Sequence, residues 1–168
     1  DGGAGNVVLD GGSGNDYLDG GNGDDTYVYG PGYGINGISD SGGNDVLRFG
    51  EGIQASNVLV TRDPYGTLYL EAGSPQNRVE LYNWFTAENQ IEHVEFADGT
   101  VWDAAVMESL VTTAPATDLG DILNLSDNAD VLDALGGDDQ VFGNGGNDIL
   151  SGGEGNDYFE GGTGNNLV

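Results

Sequence analysis

Apolar side chains recur once in every nine residues at both ends of this chain and at alternate residues through its middle. From Gly2 to Val28 three nonapeptides run back to back, GGAGNVVLD, GGSGNDYLD and GGNGDDTYV. After Tyr29 and Gly30 the frame resumes as PGYGINGIS and DSGGNDVLR, ending at Arg48. Six further copies fill Ala116 to Val168: ATDLGDILN, LSDNADVLD, ALGGDDQVF, GNGGNDILS, GGEGNDYFE and GGTGNNLV. Position eight of the eleven copies reads Leu9, Leu18, Tyr27, Ile38, Leu47, Leu123, Leu132, Val141, Leu150, Phe159 and Val168. An apolar position held in every copy marks a structural repeat rather than low complexity.

The pattern predicts a six-residue turn followed by a three-residue strand, with position eight pointing inward and positions seven and nine outward. Two repeats make one coil of a flattened roll, so loops 18 residues apart stack on the same edge. Gly occupies position four in nine copies and recurs at positions one and two. Glycine allows tight curvature there and leaves the turn carbonyls bare.

Residues 49–115 break the frame. Alternation in VLVTR, TLYLE and RVELYNW predicts three antiparallel strands with turns at Asp63 to Gly66 and Gly73 to Asn77. IEHVEFADGTVW predicts a hairpin turning at Asp98 and Gly99, DAAVMESL a short helix with Asp103 near its N-cap, and Thr112 to Thr117 a linker. The expected fold is all-β: two parallel β-roll arrays, 1–48 and 116–168, separated by a small antiparallel β insert with a short helix, 49–115.

Charge changes what such a fold requires. The 168 residues hold 29 Asp or Glu against three Arg and no Lys, a formal net charge of −26. Between Asp118 and Val168 there are 11 carboxylates and no cation. Stacking them without a counter-ion is repulsive, and one inward side chain in nine residues is too thin a core to close the stack alone. Nucleic acid and anionic membrane are disfavoured as partners, because both need a basic patch and the three cations, Arg48, Arg62 and Arg78, lie in one central stretch. No apolar run reaches the roughly 18 residues of a membrane span. The absence of Cys excludes disulfides and thiolate metal sites. The chain opens and closes inside a glycine motif, and so reads as a piece of a longer protein.

Position six supplies the candidate ligands. It is Asp in eight copies (Asp16, Asp25, Asp45, Asp121, Asp130, Asp139, Asp148, Asp157), Asn in two (Asn36, Asn166) and Val7 in one. Carboxylate and carbonyl oxygens of two stacked loops converge on the space between them, and Asn adds a neutral oxygen. A flexible all-oxygen cage favours Ca²⁺, which takes 6–8 oxygens, over Mg²⁺ or transition metals.

These residues match GGxGxDxUx, and the two arrays resemble the calcium β-roll of RTX (repeats-in-toxin) proteins. The run from Tyr27 through GGNDVLRFG to IEHVEFADGTVW, residues 27–103, resembles the haemolysin-type calcium-binding-related domain that interrupts such arrays. The resemblance implies several Ca²⁺ ions held by the position-six carboxylates and loop carbonyls. It further implies export from a Gram-negative bacterium by type I secretion, with the secretion machinery as a partner, and an extracellular or cell-surface location.

Catalytic chemistry finds no purchase in the sequence. His93 is the sole histidine, without the second His of an HExxH zinc motif, and there is no GxSxG elbow. The expectation is a noncatalytic calcium-binding module, with any enzymatic or toxin domain elsewhere in the parent protein. Two other readings remain open: a structural spacer or adhesin segment, or a polysaccharide-binding accessory using Tyr65, Tyr69, Tyr82, Trp84, Phe85 and Trp102 as a stacking platform. At strand spacing such aromatics are more often core.

Overall fold

The computed structural model describes residues 2–63, 65–111 and 116–168. The chain divides into two compact units, Asp1–Met107 and Glu108–Val168.

In the first unit β1 (Val8–Asp10), β2 (Tyr17–Asp19), β3 (Thr26–Tyr29), β4 (Ile35–Ser39) and β5 (Val46–Phe49) alternate between two sheets. One sheet begins β1-β3-β5 and the other β2-β4, every pair parallel. Position eight sets the register, with Leu9 opposite Tyr27, Tyr27 opposite Leu47 and Leu18 opposite Ile38. The insertion Tyr29-Gly30 lengthens β3 and sends Tyr29 into the core, where it is 1% exposed.

The insert forms the elements its alternation predicts: β6 (Val58–Arg62), β7 (Leu68–Ser74) and β8 (Asn77–Leu81) as an antiparallel meander, then the hairpin of β9 (His93–Glu95) and β10 (Val101–Asp103). Helix α1 (Ala104–Ser109) is capped at its start, where Asp103 Oδ1 accepts the Val106 N–H at 2.8 Å. Two bounds differ from expectation. The second hairpin is tighter, because the register shifts between Glu71 and Ser74 and lets β7 run to Ser74. β8 stops at Leu81, and Asn83 then turns the chain with φ of 54°. Pro64 in the first turn and 112–115 of the linker lie outside the described residues.

The break in periodicity conceals how the insert joins the roll. β8 pairs in parallel with β4 and β9 with β5, so the sheets read β2-β4-β8-β7-β6 and β1-β3-β5-β9-β10. Val94 continues the position-eight column beyond Leu47, and Leu81 continues it beyond Ile38. Trp84, Phe96, Trp102 and Met107 add to the core, with Phe96 stacked on Phe49 at 5.2 Å.

In the second unit β11 (Ile122–Asn124), β13 (Gln140–Phe142) and β15 (Tyr158–Glu160) form one parallel sheet, and β12 (Val131–Asp133) and β14 (Ile149–Ser151) the other. The coils stack closely enough to require glycine. Gly155, at position four with φ of 144°, has no room for a Cβ, which would overlap the carbonyl oxygen of Gly137 one coil away. The core is small: Leu123, Leu125, Ala134, Val141 and Leu150.

Candidate metal centres

Residue six ends each turn and enters the strand, so its side chain lies between its own loop and the loop one coil earlier. There it forms a ladder. In the first unit Asp25 Oδ1 accepts the Val7 N–H at 2.9 Å, Asp45 Oδ1 the Asp25 N–H at 2.7 Å, and Asn36 Oδ1 the Asp16 N–H at 3.3 Å. In the second, Asp139 Oδ1 accepts from Asp121 at 2.8 Å, Asp148 from Asp130 at 3.0 Å, Asp157 from Asp139 at 3.1 Å and Asn166 from Asp148 at 2.9 Å.

Each rung accepted by an Asp uses one of its carboxylate oxygens and leaves the other. The Oδ2 atoms of Asp16, Asp25, Asp45, Asp139 and Asp148 are buried with no hydrogen-bond partner. A buried carboxylate oxygen without a donor is costly unless a cation meets it. Five such atoms in one frame fit hard-cation coordination, and the loops supply further carbonyl oxygen. Asp45 shows the strain: burial pushes its carboxyl up to about 7, with Asp40 and Glu92 adding negative charge beside it. A bound divalent cation reverses that preference by favouring the ionised form.

The frame is not uniform. Asp121 Oδ2 accepts from the Thr117 N–H at 2.7 Å and the Thr117 hydroxyl at 3.0 Å. Asp130 Oδ2 accepts from the Ser126 N–H at 3.1 Å and the Ser126 hydroxyl at 2.9 Å. These two loops carry Thr or Ser at position two, and that hydroxyl occupies the oxygen left bare elsewhere. Asn166 Nδ2 donates to the Gly161 carbonyl at 2.5 Å, whereas Asn36 Nδ2 is buried without a partner.

Three features of this edge escaped the sequence reading. Position five is Asn or Asp in eight copies and builds a second ladder running the other way: Asn6 Oδ1 accepts from Asp24, Asp24 from Asn44, Asp138 from Asn156 and Asn147 from Asn165, each at 2.9–3.0 Å. Its recurrence in the frame was a usable signal. Glu92 extends the position-six ladder into the insert, its Oε2 accepting the Asp45 N–H at 2.6 Å. No repeat frame marks Glu92, so only the parallel pairing of β5 with β9 reveals it. Asp40, at position one, places its carboxylate among Asp25 and Asp45.

The aromatic residues of the insert make no stacking platform. Trp84 and Trp102 are buried, Trp84 Nε1 donates to the Ile91 carbonyl at 3.0 Å, and Tyr82 stacks on Tyr17. The Arg62 guanidinium lies 3.7 Å from the Phe85 ring centroid. Of the six residues only Tyr65 is exposed, and one exposed ring cannot clamp a sugar. His93 is half-buried in β9, opposite Asp103.

Comparison with known proteins agrees with the motif. The model of the RTX calcium-binding nonapeptide repeat (4 copies) matches residues 1–27, 116–150 and 133–168. The model of the haemolysin-type calcium binding protein related domain matches residues 68–106. No curated protein matches the chain in sequence. Among solved structures the chain is similar to the extracellular lipase LipA from Serratia marcescens, at 26% identity and a TM-score of 0.46, over 95% of this chain and 25% of the lipase. The chain thus spans a quarter of the length of that protein.

Proposed function

Since this chain is an RTX calcium-binding β-roll protein carrying a haemolysin-type calcium-binding-related domain, we propose that it is a noncatalytic module of a secreted protein whose folding is driven by Ca²⁺ after type I export. The observation that carries this reading is the set of buried, unpartnered Oδ2 atoms at Asp16, Asp25, Asp45, Asp139 and Asp148. Asp157, whose Oδ1 holds a rung of the ladder, and the neutral oxygens of Asn36 and Asn166 complete the ligand edges. Asp121 and Asp130 contribute once their carboxylates turn from Thr117 and Ser126.

Calcium supplies the positive charge that lets these carboxylates stack, stabilising the folded roll by about 1.4 kcal/mol for each tenfold excess over Kd at each site. Oxygen cages of extracellular modules bind at roughly 10⁻⁴–10⁻³ M, far above cytosolic calcium, so the acidic arrays stay extended for export and fold outside the cell. Residues 1–48 and 116–168 act as the two calcium arrays. Residues 49–115 cap the first, covering strand edges and apolar side chains that a roll end would expose. The Gram-negative cell surface or medium is the expected location.

Far-UV circular dichroism under Ca²⁺ titration tests the proposal. Millimolar Ca²⁺ should raise β content cooperatively, Mg²⁺ should substitute poorly, and EDTA should reverse the change. A spectrum indifferent to EDTA would refute calcium-driven folding.

A further inference from the structure

Asp40 stands at position one of its nonapeptide, where the other ten copies carry Gly, Ala, Pro or Leu. Position one backs onto the carboxylate that closes the same loop: a Cβ built on Gly11 or Gly143 would lie 2.8 Å from Oδ2 of Asp16 or Asp148. A side chain at this position enters the space the bare oxygens face. In the second unit that space receives Leu125 and Ala134, as apolar core. In the first it receives a carboxylate.

Asp40 is 1% exposed, Asp25 1% and Asp45 0%, and one carboxylate oxygen of each lies within 4.8 Å of the others. Asp40 is fixed in place: its Oδ1 accepts the Tyr27 hydroxyl at 2.5 Å and its Oδ2 the Gly42 N–H at 2.8 Å. Tyr27 is itself fully buried, and its hydroxyl donates into the cluster rather than to solvent. Asp25 Oδ2 and Asp45 Oδ2 meet no N–H or hydroxyl donor, and Asp45 faces the Asp40 carboxylate. Tyr27 satisfies one oxygen of three buried carboxylates and neutralises none of them.

We infer that Asp25, Asp40 and Asp45 form a three-carboxylate site that holds the most tightly bound divalent cation of the chain, with Asp40 supplying a side-chain ligand that the repeat itself lacks. The inference rests on the calcium reading above. Affinity in oxygen cages is tuned by the number of charged ligands and by rigidity, and this site leads on both counts. The other position-six carboxylates of the rolls have Gly, Ala or Leu at position one of their loops. The site lies where the insertion spaces Asp25 and Asp45 by 20 residues, and the Tyr27 hydroxyl that orients Asp40 belongs to the position-eight core.

The test is retention of calcium by the full chain. Saturated protein is passed through calcium-free buffer, bound ions per chain are counted by elemental analysis, and far-UV spectra in excess Ca²⁺ are recorded in parallel. Wild type should keep at least one ion. Asp40→Asn, which keeps the shape, and Asp40→Gly, which restores the repeat consensus, should each keep one fewer, with about tenfold weaker binding at that step and the wild-type spectrum in excess Ca²⁺. Tyr27→Phe, which removes the hydroxyl that orients Asp40 and spares the carboxylate, should weaken retention, by less than either Asp40 variant. Equal retention by wild type and both Asp40 variants overturns the inference. If the Asp40 variants do not reach the wild-type spectrum, Tyr27→Phe decides: retention equal to that of wild type overturns the inference. A wild type that folds on calcium yet keeps no ion also overturns it and leaves calcium-driven folding standing; a wild type unmoved by calcium ends both.

Discussion

The two units use one nine-residue rule and bury very different cores. The first encloses Tyr27, Tyr29, Phe49, Trp84, Phe96, Trp102 and Met107, largely through residues the insert contributes. The second encloses five aliphatic side chains, Ala134 among them, beneath the 11 carboxylates of residues 118–168. At about 25 cal/mol for each Å² of apolar area, one buried side chain per nine residues cannot offset the ordering of the other eight. The same coil is therefore a different physical object in the two places. On the proposed reading, cations add to a core that already exists where aromatic residues fill the coil, and stand in for one where they do not.

The comparison breaks most readily through the largest side chains. Trp84→Ala should cost the first unit about 3–5 kcal/mol, with calcium or without it, as chemical denaturation would show, because the loss is of packing. If saturating calcium erases most of that loss, the insert core is not an independent source of stability. In the second unit the sensitive positions are polar. Asp139→Ala and Asp148→Ala each remove a buried oxygen and a rung of the ladder, and should raise the Ca²⁺ midpoint of folding about tenfold. Asp133→Ala, at exposed position nine, should change stability by less than about 0.5 kcal/mol. Equal midpoints for the three variants would dissolve the assigned frame. The smallest expected effect is favourable. Leu135 occupies position two with φ of 74° and is 47% exposed, so Leu135→Gly should relieve backbone strain and lower the calcium midpoint slightly. A raised midpoint would show that Leu135 packs more than its exposure indicates.

Much of this was legible because the repeat is rigidly periodic. Each residue at position eight meets its counterpart one coil on, so a column in the aligned sequence is a column in space, as Leu123, Val141 and Phe159 demonstrate. Alternation likewise located β6 to β10. What periodicity cannot report is a partner outside the frame. Glu92 completes the position-six ladder through a strand of the insert, and the parallel pairing of β4 with β8 joins residues 40 or more apart without any repeated signal. Asp121 and Asp130 fit the frame by residue type, yet Thr117 and Ser126 at position two hold their carboxylates. A motif records which residue stands at a position, and neighbours decide where its oxygens point.

The most direct measurement of the contrast is amide hydrogen exchange on the full chain, in calcium and in EDTA, resolved by peptide. In calcium both units should be protected. In EDTA β11 to β15 should lose protection entirely while β6 to β9 and Trp84 to Phe96 keep a substantial part of theirs. Protection of β11 to β15 in EDTA equal to that in calcium would contradict the claim that the cation substitutes for a core.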